Sequence, residues 1–338
     1  MKTYGVAIVG PGNVARGHLT SIRDTPRAEL VALYARDLER GRAWAAEQAV
    51  SCPVTTDLSE LLTNDEVDIV ILCTPNHLHA SQTIQAAEAG KHILIEKPVA
   101  MNLADLRAMQ SAVHRTGVRT LISFVLHWNP ALRMAKQLIT GGAIGNVFMI
   151  ETCYWHNSPR GVPGHWSTRK ETGGSIFLMG GCHATDAARW LAGSDIVEVS
   201  AYTTRGGKKW VEYPPTAVAI VRFANGAIGR ISATMECVMP YAFNITVMGD
   251  QGTIRDNRLY SHLLPGQTDF ATIPTILPDS GDVAHHPFGP GLEHFITCID
   301  EGRETEINLD EAINTHEACL AVDVSAQAGR PVSLPLPG

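Results

Sequence analysis

The chain has 338 residues, 45% hydrophobic and 18% charged, with 34 Asp and Glu against 27 Lys and Arg. That length allows two domains with large cores, and a formal net charge of -7 gives no basis for a nucleic-acid or anionic-membrane partner. No apolar stretch reaches membrane-spanning length and no signal-like segment opens the sequence, so a cytoplasmic protein is expected. The cysteines (Cys52, Cys73, Cys153, Cys182, Cys237, Cys298 and Cys319) are odd in number and contain no C-x-x-C pair. That pattern points to free thiols, with neither a disulfide framework nor a metal site.

Tyr4 to Val9 reads as a short apolar strand that runs directly into Gly10-Pro11-Gly12-Asn13-Val14-Ala15. This is G-x-G-x-x-A. Gly10 would make the tight turn, Gly12 would let a pyrophosphate approach the backbone, and Ala15 would keep the next helix close to the sheet. The helix from about Asn13 to Ile22 would aim its first amides at the phosphates. A second strand, Glu29 to Ala35, ends in Arg36-Asp37. An acidic residue there binds the ribose hydroxyls of NAD, whereas an arginine accommodates the extra phosphate of NADP. Asp37 has a competing role as N-cap of the helix that follows. Arg36, with Arg40 a turn later, leans the reading towards NADP.

Asp57 is expected to cap a short helix through Leu62, and Asp68 to Cys73 to form a buried strand ending at Thr74-Pro75-Asn76, a turn placed to lie over a cofactor. A helix through Ala89 stops at Gly90. His92 to Ile95 then form another short strand, closed by Glu96-Lys97-Pro98. Ligands of open α/β sheets bind beyond the carboxyl ends of the strands, so Lys97 is placed to meet a substrate. The plainer alternative is an exposed lysine paired with Glu96. Asn102 opens an amphipathic helix stopped by Gly117, and Thr120 to Val125 is the last strand of this half. Strand and helix alternate throughout, which predicts a doubly wound parallel sheet.

The G-x-G-x-x-A opening, Thr74-Pro75-Asn76 with His79, and Glu96-Lys97-Pro98 resemble the Gfo/Idh/MocA family of sugar and polyol oxidoreductases. Asn129-Pro130-Ala131, Gly142-Ala143-Ile144-Gly145, Gly173-Gly174 and Gly181-Cys182-His183-Ala184-Thr185-Asp186 resemble segments of its second domain, and so does the tail from Ser325 to Val332. The resemblance implies a Rossmann domain over residues 1–125. A C-terminal α/β domain over 126–338 would follow, built on a large, mostly antiparallel open sheet and involved in substrate binding and oligomerisation. Its final helix would be able to pack back on the first domain. The sequence supports such a sheet independently, with strands expected at Val197 to Thr204, Thr216 to Phe223, Ala227 to Glu236 and Phe243 to Met248. Asn225-Gly226 is a hairpin signal. Helices are expected near Leu292 to Ile299 and Leu309 to Ala328.

The resemblance further implies hydride transfer between a sugar or polyol carbon and NAD or NADP, with NADP slightly preferred. The cofactor would lie against Gly10, Pro11, Gly12, Asn13, Val14, Arg36, Asp37, Thr74, Pro75, Asn76, His79, Glu96 and Lys97. Lys97 would move the hydroxyl proton, assisted by His183. Charge repulsion and desolvation beside an oxidised nicotinamide would favour a lysine acting as a base, and an imidazole exchanges protons near neutral pH. The alternative for His183 is a capping or packing histidine. Many family members carry an aspartate four residues earlier, where this chain has Met179, and an arginine where it has His127. His127 either faces the site with a different partner or is a surface-loop histidine. Asp186 resembles a structural acidic residue of that helix.

Substrate contacts would come from Lys97, His127, Tyr154, His156, Trp166, Met179 and His183. Several of these belong to a segment, Tyr154 to Lys170, that also holds Trp155, Arg160, His165 and Arg169 and reads as a loop. Its aromatic faces suit carbohydrate rings, although some of them must simply pack. Asp282-Val-Ala-His285-His286 lies in a Gly/Pro-rich loop that could close over a substrate; no metal is expected there. Two rival readings share the fold. One is a redox-neutral enzyme that uses bound cofactor for sugar epimerisation or glycoside cleavage, and the other is a catalytically silent dinucleotide-binding regulator. A homodimer or homotetramer is expected.

Overall fold

A computed structural model of the chain describes residues 2–158, 161–279 and 286–337. Strand and helix alternate through the first 125 residues: β1 (Tyr4–Val9), α1 (Asn13–Asp24), β2 (Ala28–Tyr34), α2 (Leu38–Glu47), β3 (Val54–Thr55), α3 (Leu58–Leu62), β4 (Ile69–Leu72), α4 (His79–Glu88), β5 (His92–Ile95), α5 (Leu103–Thr116) and β6 (Thr120–Ile122). The strands pair in parallel in the order β3-β2-β1-β4-β5-β6. Helices cover both faces of such a sheet, which is why β1 and β4 are apolar and buried at every position. The order reverses between β1 and β4, so the crevice for a ligand opens at their carboxyl ends. β6 is shorter than the sequence suggests. Residues Val125–Trp128 already wind into a 3-10 turn.

Helix boundaries in this half follow local chemistry. Asp37 caps α2 by accepting the Arg40 amide at 2.9 Å, Asp57 caps α3, and Asn102 caps α5. Gly117 ends α5 with a φ of 71°, a conformation that costs a glycine little.

The chain continues through α6 (Pro130–Thr140), β7 (Val147–Trp155), α7 (Lys170–Gly173), α8 (Cys182–Ala192), β8 (Ile196–Thr204), β9 (Thr216–Phe223), β10 (Ile228–Thr234), β11 (Ile245–Gly249), β12 (Gly252–Arg255), β13 (Arg258–Ser261), β14 (Ala271–Thr272), α9 (Phe288–Glu301), α10 (Leu309–Ala328) and β15 (Val332–Ser333). Strands β7 to β15 form a second sheet in the order β14-β13-β12-β11-β7-β10-β9-β8-β15. Its described pairings are antiparallel except β7 with β10. Strict alternation along β9 sends Ala217, Ala219, Val221 and Phe223 inward, and Val218, Ile220 and Arg222 outward.

One feature of this region departs from the sequence reading. Tyr154 and Trp155 are the last residues of a strand, β7, and do not open a loop. β7 takes its partners from β10 and β11, which lie far along the chain, so no local turn signal marks it. The compact units of the chain are Met1–Val125 with Gly281–Ala312, and Leu126–Ser280 with Ile313–Gly338. The helix added to the first unit is therefore α9. Phe288 at its start packs on His18 of α1, with ring centroids 4.3 Å apart, while most of the final long helix, α10, belongs to the second unit.

Candidate active site

Gly10 has a φ of +96°, and a Cβ placed on it would lie 2.8 Å from Thr74 Cγ2 and 3.0 Å from the Thr74 amide nitrogen. Both the conformation and the close approach require glycine. At Gly12 a Cβ would meet nothing within 4 Å, so the space above this backbone is open. Gly12 is also the N-cap of α1, and no side chain caps the helix there. Its first amides, from Asn13 onward, therefore remain available, unlike those of α2, α3 and α5. At the end of β2, Arg36 is exposed, while one carboxylate oxygen of Asp37 is engaged as the N-cap.

The ends of β4 and β5 carry the other expected residues of this unit. Pro75 leads into a 3-10 turn, Asn76–Leu78, on which Asn76 is buried. His79 is 1% exposed. Its Nδ1 lies 2.8 Å from the Pro98 carbonyl oxygen and its Nε2 2.9 Å from that of Thr74. Both ring nitrogens are thus used by the protein, which argues against a direct cofactor contact from this side chain.

Glu96 is buried, and its Oε1 accepts from Ser123 Oγ at 2.7 Å and contacts His18 Nε2 at 2.9 Å. Burial alone would raise its pKa. The hydrogen bond and charge of His18, the charge of Lys97 and the Ser123 hydroxyl outweigh that and hold it at about 2. Glu96 is therefore an anion built into the protein, sharing an oxygen with partners that sequence reading did not find. His18 and Ser123 lie 78 and 27 residues away from it, and no local motif announces them. Lys97 follows, half-buried.

In the second unit, α8 is extended at its start by a π-helical turn, Phe177–Gly181. Such turns recur at functional sites. This one carries Met179, with His183 one turn later. The Tyr154 hydroxyl lies 3.3 Å from His156 Nδ1. The Tyr154 ring stacks near-parallel to that of His183, with centroids 6.1 Å apart and planes at 20°. Tyr241, which the sequence reading missed, stands edge-on to both Tyr154 (5.6 Å) and His156 (5.4 Å). A bridge between Trp155 and Ala242 brings it there. Burial pushes the Tyr241 phenol pKa far up, so it stays protonated. Gly180 is required by this arrangement, since a Cβ on it would fall 2.3 Å from the Tyr154 ring. The cluster presents phenol and imidazole groups beside aromatic faces, a chemistry suited to polyhydroxylated rings.

Other expected substrate residues lie elsewhere. His127 is neither a surface-loop histidine nor part of this cluster. It is 4% exposed, bonds Asp186 Oδ2 through Nε2 at 2.7 Å and stacks on Trp190 at 4.1 Å. Thr315 donates to the other Asp186 oxygen at 3.3 Å. His127 and Asp186 together fasten α8. Trp166 sits on a short turn and takes its ring contact from His165 at 5.5 Å. Trp155 Nε1 donates to Ser232 Oγ at 3.0 Å, so this tryptophan packs on the sheet. His286 packs against Phe288 at 5.8 Å; Arg160, Asp282 and His285 lie outside the described residues. Lys97 and His183 belong to different units. Among the described residues, no group of three or more His, Cys, Asp and Glu side chains is placed to hold a metal ion, and no helix is long and apolar enough to cross a membrane.

Comparison with known families places two models end to end on the chain. One, an oxidoreductase family with an NAD-binding Rossmann fold, matches residues 4–124, and the other, the GFO/IDH/MocA C-terminal domain, matches residues 132–255. The chain belongs to the Gfo/Idh/MocA oxidoreductase family. Its relatives include a 1,5-anhydro-D-fructose reductase of Ensifer adhaerens, 32% identical over 68% of this chain and 68% of that one. A scyllo-inositol 2-dehydrogenase (NAD(+)) of Bacillus subtilis is 27% identical over 97% of this chain and 95% of the relative. The fold is shared with a levoglucosan dehydrogenase solved in complex with NADH, with a TM-score of 0.90 at 22% identity, covering 99% of this chain and all of that one.

The residues present fit the dinucleotide of a Gfo/Idh/MocA protein. The open space over Gly12, the turn fixed by Gly10 and the uncapped start of α1 form a cradle for a pyrophosphate.

Proposed function

We propose that this chain is an NAD(P)-dependent dehydrogenase or reductase acting on a CH–OH group of a sugar, polyol or close derivative, with Lys97 and His183 handling the proton. The observation that carries the reading is the cradle at Gly10 and Gly12, set in the same unit as a half-buried lysine beyond the end of β5. A bound nicotinamide supplies the acceptor or donor of hydride. Lys97 takes the hydroxyl proton during oxidation and returns it during reduction, and His183 exchanges it onward. Tyr154, His156 and Tyr241 orient substrate hydroxyls. Met179, with no ionisable group, leaves the proton to Lys97 and His183.

NADP is the slightly preferred cofactor. Arg36 is exposed at the end of β2, whereas part of the Asp37 carboxylate is committed to capping α2. A homodimer or homotetramer is supported by the outer face of the second sheet, where Tyr202 is 81% and Ile220 51% exposed, beside Val218 and Ile228.

The test is a titration with NADH and NADPH, followed by a sugar and polyol panel read by nicotinamide absorbance. Binding of neither cofactor overturns the whole reading. Lys97→Ala is expected to abolish turnover on any substrate so found, and retained turnover refutes its role. Arg36→Ala is expected to weaken NADPH about tenfold, a loss of one charged contact, and NADH little. Equal effects on the two refute the NADP preference.

A further inference from the structure

We infer that His79 is a positioning residue for Lys97, holding the Thr74 and Pro98 turns together through two ring nitrogens when its ring is protonated. The inference rests on the reading of Lys97 as proton carrier. A main-chain carbonyl only accepts hydrogen bonds, and His79 faces one with each ring nitrogen, at 2.8 Å (Pro98) and 2.9 Å (Thr74). A neutral imidazole has a single N–H, so its second nitrogen would present a lone pair to an oxygen at bonding distance. The imidazolium alone satisfies both. The side chain is 1% exposed, which leaves little room for water to substitute for either donor.

The two carbonyls belong to the turns that close the site. Thr74 lies against Gly10, whose missing Cβ would meet it. Pro98 follows Lys97 directly, so fixing its carbonyl fixes the direction in which the lysine leaves the strand. His79 is the first residue of α4, and through this ring the helix start ties the end of β4 to the end of β5. Two charged groups act on the ring: the Glu96 carboxylate favours the cation and Lys97 opposes it. α4 packs against α5, whose buried residues are the apolar Leu106, Met109, Ala112 and Val113, and β4 is apolar throughout. Burial is the largest influence and lowers the His79 pKa, against the pull of the two carbonyls. The double clamp therefore loosens on the acid side of the ordinary histidine range, and one turn is released as pH rises through it.

Three variants separate the contributions. His79→Asn keeps a donor near the Nδ1 position and His79→Gln one near Nε2, whereas His79→Leu keeps neither. In acid, where wild type holds both bonds, turnover is expected to fall about tenfold in each amide variant and further in His79→Leu, as one or both bonds are lost; above the His79 titration the amide variants are expected to match wild type. NADH affinity is expected to fall less than turnover, because the Gly10–Gly12 backbone is not itself substituted, although Thr74 lies against Gly10. In wild type, kcat falls as pH rises through the His79 titration, and this limb is absent from both amide variants, whose donors do not titrate.

A His79→Leu enzyme with wild-type kcat, or a limb that persists in the amide variants, overturns the proposal. Nitrogen NMR of histidine-labelled wild type provides a readout that needs no substrate, with His79 assigned by its loss in His79→Gln. Protons on both nitrogens in mildly acidic buffer, one lost as pH rises, support the clamp, and a bare nitrogen at every pH refutes it. A wild type that turns over no sugar refutes the proposed function and leaves this NMR result to decide the clamp.

Discussion

The first unit builds its site from backbone and buried charge, and the second builds its own from rings. At the carboxyl edge of the parallel sheet, the decisive features are a glycine with positive φ, open space over Gly12, carbonyls gripped by His79 and an anionic Glu96 held by His18 and Ser123. In the second unit, Tyr154 of β7, His156 and Tyr241 meet through ring contacts, and Tyr154 stacks on His183 of α8, a helix that the His127–Asp186 bond also holds. A main-chain cradle suits a ligand part common to many enzymes, the pyrophosphate. A ring cluster suits the part that varies, because changing one ring changes the shape offered to a substrate.

That contrast can be broken by substitution. The largest effect is expected from Asp186→Ala, which strips a buried acceptor from His127 and Thr315. About 2–3 kcal/mol of stability should be lost, read as a lower Tm, with substrate KM disturbed through His183. NADH affinity is expected to stay unchanged, because the substitution leaves the Gly10–Gly12 turn as it is. Gly180→Ala should come next, since the Tyr154 ring must move to admit the methyl group. A loss of about 1–3 kcal/mol is expected, again with KM raised and cofactor binding intact. Gly10→Ala is its mirror image. The positive φ of +96° and the contact with Thr74 should weaken NADH by about tenfold or more, while the ring cluster, followed by near-ultraviolet circular dichroism, stays as it was.

A smaller effect sharpens the comparison through pH. The folded Glu96 pKa is held down at about 2 by His18, Lys97 and Ser123 despite burial. The stability it contributes is complete above the unfolded carboxyl value and is lost as pH falls from there towards 2. Asp323 in α10 behaves oppositely. Burial raises its pKa to about 6, against a hydrogen bond from Ser175 and the charge of Lys170. Its contribution is present in acid and is lost as pH rises from the ordinary aspartate range through 6. Asp323→Asn should therefore gain about 1–2 kcal/mol at neutral pH and nothing in acid, whereas Glu96→Gln should blunt the acid limb. Thermal melts across pH test both, and a Tm for Asp323→Asn unchanged at neutral pH refutes the second assignment.

Much of the first unit was legible in the sequence because its signals are local. Gly10 and Gly12, the caps Asp37, Asp57 and Asn102, the stop at Gly117 and the apolar runs of β1, β4 and β5 each act over a few residues, where backbone sterics and hydrogen bonding decide the outcome. The same holds for β9 and the Asn225-Gly226 turn of the second sheet. What the sequence could not reveal depends on partners distant along the chain. β7 becomes a strand because β10 and β11 flank it, and Tyr241 joins Tyr154 because Ala242 bridges to Trp155. His127 is buried because Asp186 and Trp190 receive it, and Glu96 stays ionised because His18 and Ser123 reach it. Pairing, burial and charge are properties of the assembled neighbourhood. The sequence by itself determined a dinucleotide-binding edge and a lysine beside it; the tertiary structure decided which histidines and rings gather around Tyr154 and which, like His127, hold the frame.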